Sequence, residues 1–83
     1  EDVTFLEGYV ITEIDPPPDF IGKSIREIGI RNKYGVDVLT VKREGKTGKS
    51  IKAIPQANYI IGKNDRLVIA GEKENINKLR GII

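Results

Sequence analysis

Apolar and polar positions follow short periods along the chain, and these periods predict a small sheet with two helices. Four segments have strand character because β-branched and apolar residues dominate them. They are residues 9–14, 37–44, 50–54 and 66–70. Residues 73–80 place apolar side chains at helical spacing and predict a final helix. Residues 56–61 fit either a turn or a short strand.

The segment between the first two strands predicts a capped helix with an interruption. Ser24 and Glu27 have the spacing of a capping box, in which each side chain accepts a hydrogen bond from the other residue's amide. Gly29 should break the helix, and residues 30–34 should form a second short turn. Gly35 then suits the left-handed conformation that ends a helix. The polar residue Arg31 is therefore displayed beside a rigid apolar elbow.

Prolines and glycines mark the connections. Residues 15–19, DPPPD, cannot continue a strand ladder and predict a polyproline-like connection. Residues 45–49, GKTGK, predict the loop of a hairpin. The resulting order, β-α-β-β-β-α, indicates a mixed α/β domain of the α+β class. Residues 1–8 are expected to be a linker or edge segment, and residues 9–83 the domain itself.

Composition excludes several kinds of site. The 83 residues include no Cys and no His, so thiolate metal sites and imidazole catalysis are absent, and we expect no enzyme activity and no required cofactor. The net charge of +2 gives no argument for direct nucleic-acid binding. No run reaches the length of about 18 apolar residues that a membrane span needs, so we expect no membrane insertion. Asp37, Asp65 and the other carboxylates lack metal-ligand spacing and are expected to be solvated.

A phosphate-binding loop is suggested by residues 45–50, GKTGKS, but the pattern fails. The first glycine of that motif would fall at Arg43. The other Gly-Lys-Ser, at residues 22–24, would need a glycine where Pro17 stands. The predicted hairpin also carries a basic cluster: Lys42, Arg43, Lys46, Lys49 and Lys52. The cluster is interpreted as a solvated turn, with contact to phosphates or an anionic membrane surface as the functional alternative.

Two stretches resemble a known family. Residues 22–43, GKSIREIGIRNKYGVDVLTVKR, and residues 62–79, GKNDRLVIAGEKENINKL, are similar to the RCK C-terminal domain, also called TrkA-C. The resemblance implies a TrkA-C-like regulatory domain that pairs as a homodimer. It also implies a cytoplasmic location, beside a membrane cation channel, a transporter subunit or a fused transmembrane domain.

The resemblance also implies a ligand site at the dimer interface. Several bacterial members bind cyclic di-AMP through an Ile-Arg-x-x-Tyr-Gly-x-Asn stretch and a later proline. The corresponding residues here are Ile30, Arg31, Val36, Asp37 and Pro55. Arg31 would bind a phosphate, since a guanidinium matches an anion with two donors. Asp37 replaces the asparagine, and a carboxylate accepts hydrogen bonds without donating any.

The sequence therefore predicts a regulatory domain of a potassium or cation transport system that binds a small ligand, with cyclic di-AMP first among the candidates. Two alternatives stay open, a sensor of divalent cations and a purely structural dimerisation module. A third reading, nucleic-acid contact through the basic cluster, is disfavoured. Arg31 alone also fits an ordinary salt bridge, for example with Glu27.

Overall fold

The computed structural model describes residues 2–44, 50–53 and 55–81. Within them, five strands form one antiparallel sheet in the order β1-β2-β5-β3-β4. The strands are β1 Val3–Leu6, β2 Tyr9–Ile14, β3 Val36–Glu44, β4 Ser50–Ala53 and β5 Asp65–Glu72. The helices are α1 Ile25–Ile28, α2 Ile30–Tyr34 and α3 Lys73–Arg80. The predicted α+β class is confirmed, with β1 added at one edge of the sheet.

One face of the sheet forms the core. Val10 and Ile14 on β2 alternate with partly exposed residues, and Leu67 and Ile69 on the central strand β5 do the same. This period of two is what a sheet with one buried face requires. The connections and helices cover that face with Phe20, Ile28, Ile30, Ile61 and Ile76, all of them buried.

The elbow between β2 and β3 forms as predicted. The Ser24 hydroxyl accepts from the Glu27 amide at 3.1 Å, and the Glu27 carboxylate accepts from the Ser24 amide at 2.9 Å. Gly29 and Gly35 have φ of +64° and +69°, and each ends a helix in the left-handed conformation. Side chains at these positions would be strained, so the two glycines fix the elbow.

The proline-rich connection differs in part from its prediction. Pro17 has polyproline-like angles, φ −55° and ψ 145°, but the next residues form a single 3₁₀ turn, Pro18–Phe20. Proline favours the first position of a helical turn because its φ is already set and its missing amide is not needed there. The turn brings Phe20 into the core, where its ring lies 5.5 Å from the Tyr34 ring.

Residues 56–61 form a turn and a single bridge to α1. The Tyr59 amide donates to the Gln56 carbonyl, and Ile60 pairs with Ser24 as an isolated bridge. The amides of Ile25 and Arg26 donate to the carbonyls of Tyr59 and Ala57. These amides lie at the start of α1 and have no partner within the helix, so the turn satisfies them.

Candidate functional site

A cleft of about 270 Å³ lies where the elbow meets the start of β3 and the turn after β4. All five residues predicted for the ligand site line it: Ile30, Arg31, Val36, Asp37 and Pro55. Residues so far apart in the sequence meet because the turn at residues 56–61 is hydrogen-bonded to α1. Their role in ligand binding stays a prediction.

Four further residues line the cleft and were not predicted: Ile25, Val38, Gln56 and Ala57. Val38 follows Val36 by two residues, so strand periodicity could have placed it on the same face. Gln56 and Ala57 belong to the segment whose structure the sequence left ambiguous. The walls are therefore largely apolar, and Arg31 and Asp37 supply the charged groups.

Arg31 and Asp37 form an ion pair at the cleft. Asp37 Oδ1 accepts from Arg31 Nε at 2.6 Å and lies 2.5 Å from Nη2. The left-handed turn at Gly35 reverses the chain and brings the second residue of β3 back beside α2. The Arg31 side chain is 80% exposed and the Asp37 side chain 36%, so the pair faces solvent.

The structure corrects two expectations about carboxylates. The partner of Arg31 is Asp37 and not Glu27, whose carboxylate caps α1 instead. Asp65 was expected to be solvated, but its side chain is fully buried. The capping geometry explains the first difference, because it holds the Glu27 side chain at the N-terminus of α1.

Asp65 joins the turn at residues 56–61 to the sheet. Its Oδ1 accepts from Arg43 Nε at 2.7 Å, and its Oδ2 accepts from Arg43 Nη2, the Tyr59 hydroxyl and the Gly62 amide at 2.8 to 3.0 Å. Burial alone would raise the pKa of Asp65, but the donors from Arg43, Gly62 and Tyr59 outweigh it and lower that pKa. The Arg43 guanidinium also lies 5.2 Å from the centre of the Tyr59 ring. The turn that forms one wall of the cleft is thereby anchored to β3 and β5.

The described part of the basic cluster takes part in ion pairs. Lys42 donates to Glu13 at 2.6 Å, and Arg43 is held by Asp65. Glu13 also accepts from Arg66 at 2.9 Å, and hydrogen bonds from Lys42 and Arg66 lower the pKa of the Glu13 carboxyl. The other members of the cluster lie at residues 46, 49 and 52, whose side chains fall outside the described part. The two described cations are therefore engaged within the fold.

Two features of the described residues bear on metal binding and on membrane insertion. Across residues 2–44, 50–53 and 55–81, no group of three or more acidic residues is placed to hold a metal ion. Within the same part of the chain, no helix is long and apolar enough to cross a bilayer.

Comparison with known sequences identifies the family. The sequence model of the TrkA-C domain family matches residues 9–83. The chain belongs to the TrkA-C domain family. The resemblance noted in residues 22–43 and 62–79 is thereby confirmed.

Two relatives are potassium uptake proteins of Bacillus subtilis (strain 168). Ktr system potassium uptake protein C is 28% identical over 72 residues, which cover 87% of this chain and 31% of that protein. Ktr system potassium uptake protein A is 32% identical over 76 residues, which cover 92% of this chain and 32% of that protein. This TrkA-C chain therefore spans about a third of the length of these relatives.

A solved structure shares the fold. It is the regulator of conductance of K⁺ (RCK) C domain of the potassium transport protein KtrA, in complex with cyclic di-AMP. It superimposes with a TM-score of 0.73 at 25% identity, over 93% of this chain and 86% of that one.

Proposed function

We propose that this TrkA-C domain is a regulatory, non-catalytic module of a potassium or cation transport system, on the cytoplasmic side of the membrane. Its cleft binds a small anionic ligand, with cyclic di-AMP as the first candidate, and two copies of the chain complete the site. The observation that carries the proposal is the meeting of all five predicted residues in one cleft. The fold shared with a KtrA domain bound to cyclic di-AMP supports it.

The chemistry of the cleft suits a nucleotide that carries phosphate. The partly exposed Ile25, Val38 and Pro55 offer apolar surface for a base, above the buried Ile30 and Val36. Arg31 offers a planar fork of donors for a phosphate. The Arg31 side chain is 80% exposed, so a ligand reaches it without opening the core. The cleft of about 270 Å³ is smaller than a typical site that encloses a drug-sized molecule. A second copy of the chain would supply the missing walls.

Exposed apolar side chains on the segments next to α1 support pairing. Ile21 and Ile60 are 40% and 51% exposed. They lie on two segments joined by hydrogen bonds, from the Gly22 amide to the Ile61 carbonyl and from the Ile61 amide to the Lys23 carbonyl. A domain of 83 residues buries a limited core, and a partner would add burial. Ligand at such an interface would favour one arrangement of the subunits, and the attached transport protein would respond to it.

The test is a calorimetric titration of the chain with cyclic di-AMP at physiological salt. We expect one ligand to bind per two chains, and Arg31→Ala to weaken binding by about a hundredfold, because a charge-assisted contact to each phosphate is lost. Arg26→Ala is the matched control, since Arg26 is exposed on α1 and does not line the cleft. Unchanged binding in Arg31→Ala would overturn the assigned role of Arg31, and no binding by the wild type would overturn the choice of ligand.

A structural dimerisation module is the second candidate, and the exposed Ile21 and Ile60 favour it. It predicts a stable dimer whose melting temperature does not respond to cyclic di-AMP, other nucleotides or divalent cations. The divalent-cation alternative would rest on two copies of Asp37 across a twofold axis, and a calcium or magnesium arm of the same titration tests it.

A further inference from the structure

Asp37 occupies the edge of Arg31 that is best suited to an anion. The Nε and Nη2 hydrogens of a guanidinium point in the same direction and together match one phosphate or carboxylate. In this structure a single oxygen, Asp37 Oδ1, lies 2.6 Å from Nε and 2.5 Å from Nη2. The carboxylate therefore stands where a phosphate oxygen would bind side-on.

The ion pair is suited to exchange. Exposed ion pairs are weak because water screens both charges and because long side chains lose freedom when they pair. Arg31 and Asp37 are both in contact with solvent, in contrast to the buried Asp65 that holds Arg43. A phosphate in the cleft could thus take over the Nε–Nη2 edge, but the displaced carboxylate would remain close to it.

We propose that Asp37 is an internal competitor for Arg31 and thereby sets the charge selectivity of the cleft. With Asp37 ionised, the pair carries no net charge, and an anionic ligand must both displace the carboxylate and tolerate it nearby. The cleft of this chain consequently binds a phosphate ligand more weakly than it would with a neutral residue at position 37, so a higher ligand concentration is needed to fill it. This inference rests on the proposed function and concerns the same cleft.

The variant that tests it is Asp37→Asn, which removes the charge and keeps the shape of the side chain. We expect affinity for cyclic di-AMP to increase on the order of tenfold, because Arg31 is released from its ion pair and because the repulsion between the carboxylate and a phosphate is removed. The affinity should also become more dependent on salt. Asp19→Asn is the matched control, since it makes the same change at an exposed residue outside the cleft. Asp37→Ser serves as a second neutral variant if the first folds poorly.

A double variant and a simpler probe separate the outcomes. Arg31→Ala/Asp37→Asn is compared with Arg31→Ala. The gain from Asp37→Asn should be clearly smaller in that background, because only the relief of repulsion remains when there is no guanidinium to release. Pyrophosphate, followed through the Nε–H NMR signal of Arg31, should bind Asp37→Asn more tightly than the wild type even if cyclic di-AMP binds neither. That last result would refute cyclic di-AMP as the ligand and leave the competition intact. Equal or weaker binding of both probes by Asp37→Asn, or a gain of the same size with and without Arg31, would overturn the proposal.

Discussion

At the scale of single residues, Asp65 and Asp37 differ in burial and in the number of hydrogen bonds that they accept. Asp65 is buried and accepts four hydrogen bonds, two of them from Arg43. Asp37 is partly exposed and pairs with the highly exposed Arg31. Replacing a buried acceptor leaves its donors unsatisfied, whereas an exposed ion pair can be replaced at little cost. Asp65 is therefore expected to govern stability, and Asp37 to govern binding.

Asp65→Asn should lower the free energy of unfolding at neutral pH by about 2 kcal/mol, because the Asn amide nitrogen cannot accept the hydrogen bonds that the buried carboxylate accepts. The pKa of Asp65 in the folded chain lies below its ordinary value of 3.8, so the stabilisation is fully present above that pH and is lost as the pH falls below it. The difference between wild type and Asp65→Asn should consequently shrink in acid. Urea denaturation at pH 7 and pH 3 measures it, with Asp19→Asn as the control. A difference that stays constant between these pH values would contradict the assignment.

At the scale of elements, a glycine on the central strand allows the elbow to approach the sheet. Gly71 lies opposite Val10 on one side and Val36 on the other. A Cβ at Gly71 would lie 2.8 Å from Val36 Cγ1 and 3.2 Å from the Gly35 carbonyl oxygen. The missing side chain therefore lets the turn at Gly35 and the first residue of β3 pack closely against β5. Val36 lines the cleft, so this approach also shapes the site.

Gly71→Ala should destabilise the chain by about 2 kcal/mol, because an added methyl group forces a packed core apart. It should also weaken ligand binding, since Val36 must move. Gly8→Ala is the control, because Gly8 has a φ of +75° but a Cβ there meets nothing within 4 Å. That variant should lose stability through backbone strain alone and bind ligand normally. Urea denaturation and the cyclic di-AMP titration check both effects, and a Gly71→Ala chain with wild-type stability would refute the packing argument.

The elbow was predictable from the sequence because its determinants are local. Ser24 and Glu27 are three residues apart, and Gly29 and Gly35 act through their own backbone angles. The Arg31–Asp37 pair was harder to foresee, because it depends on how the chain reverses between them. The family resemblance placed both residues at one site without indicating that they bind each other.

The position of the turn at residues 56–61, whose Gln56 and Ala57 line the cleft, could not be predicted in the same way. Its position depends on contacts between distant parts of the chain, such as Arg43 with Asp65, which are 22 residues apart. Short turns without hydrophobic periodicity carry little signal of where they dock. Asp65 was misjudged for the same reason, since a carboxylate in a Gly-Lys-Asn-Asp turn usually faces solvent.

At the scale of the whole molecule, the features of the cleft point to a half-site. Arg31 at the cleft is 80% exposed, and Ile21 and Ile60 are apolar side chains exposed elsewhere on the single chain. A second copy related by a twofold axis would bring two Arg31 side chains to one ligand with two phosphates. If the ligand binds between two copies of the chain, ligand binding and pairing should each strengthen the other.

The most direct test of this account is a titration of the ¹⁵N-labelled chain with cyclic di-AMP, followed residue by residue in backbone amide NMR spectra. We predict that shifts concentrate in residues 25–38 and 56–57 and saturate at one ligand per two chains, with an increase in tumbling time that reports dimerisation. Shifts confined to the opposite face of the sheet, around Ile11 and Val68, would contradict the assigned site. A spectrum that does not change at saturating ligand would contradict cyclic di-AMP binding itself.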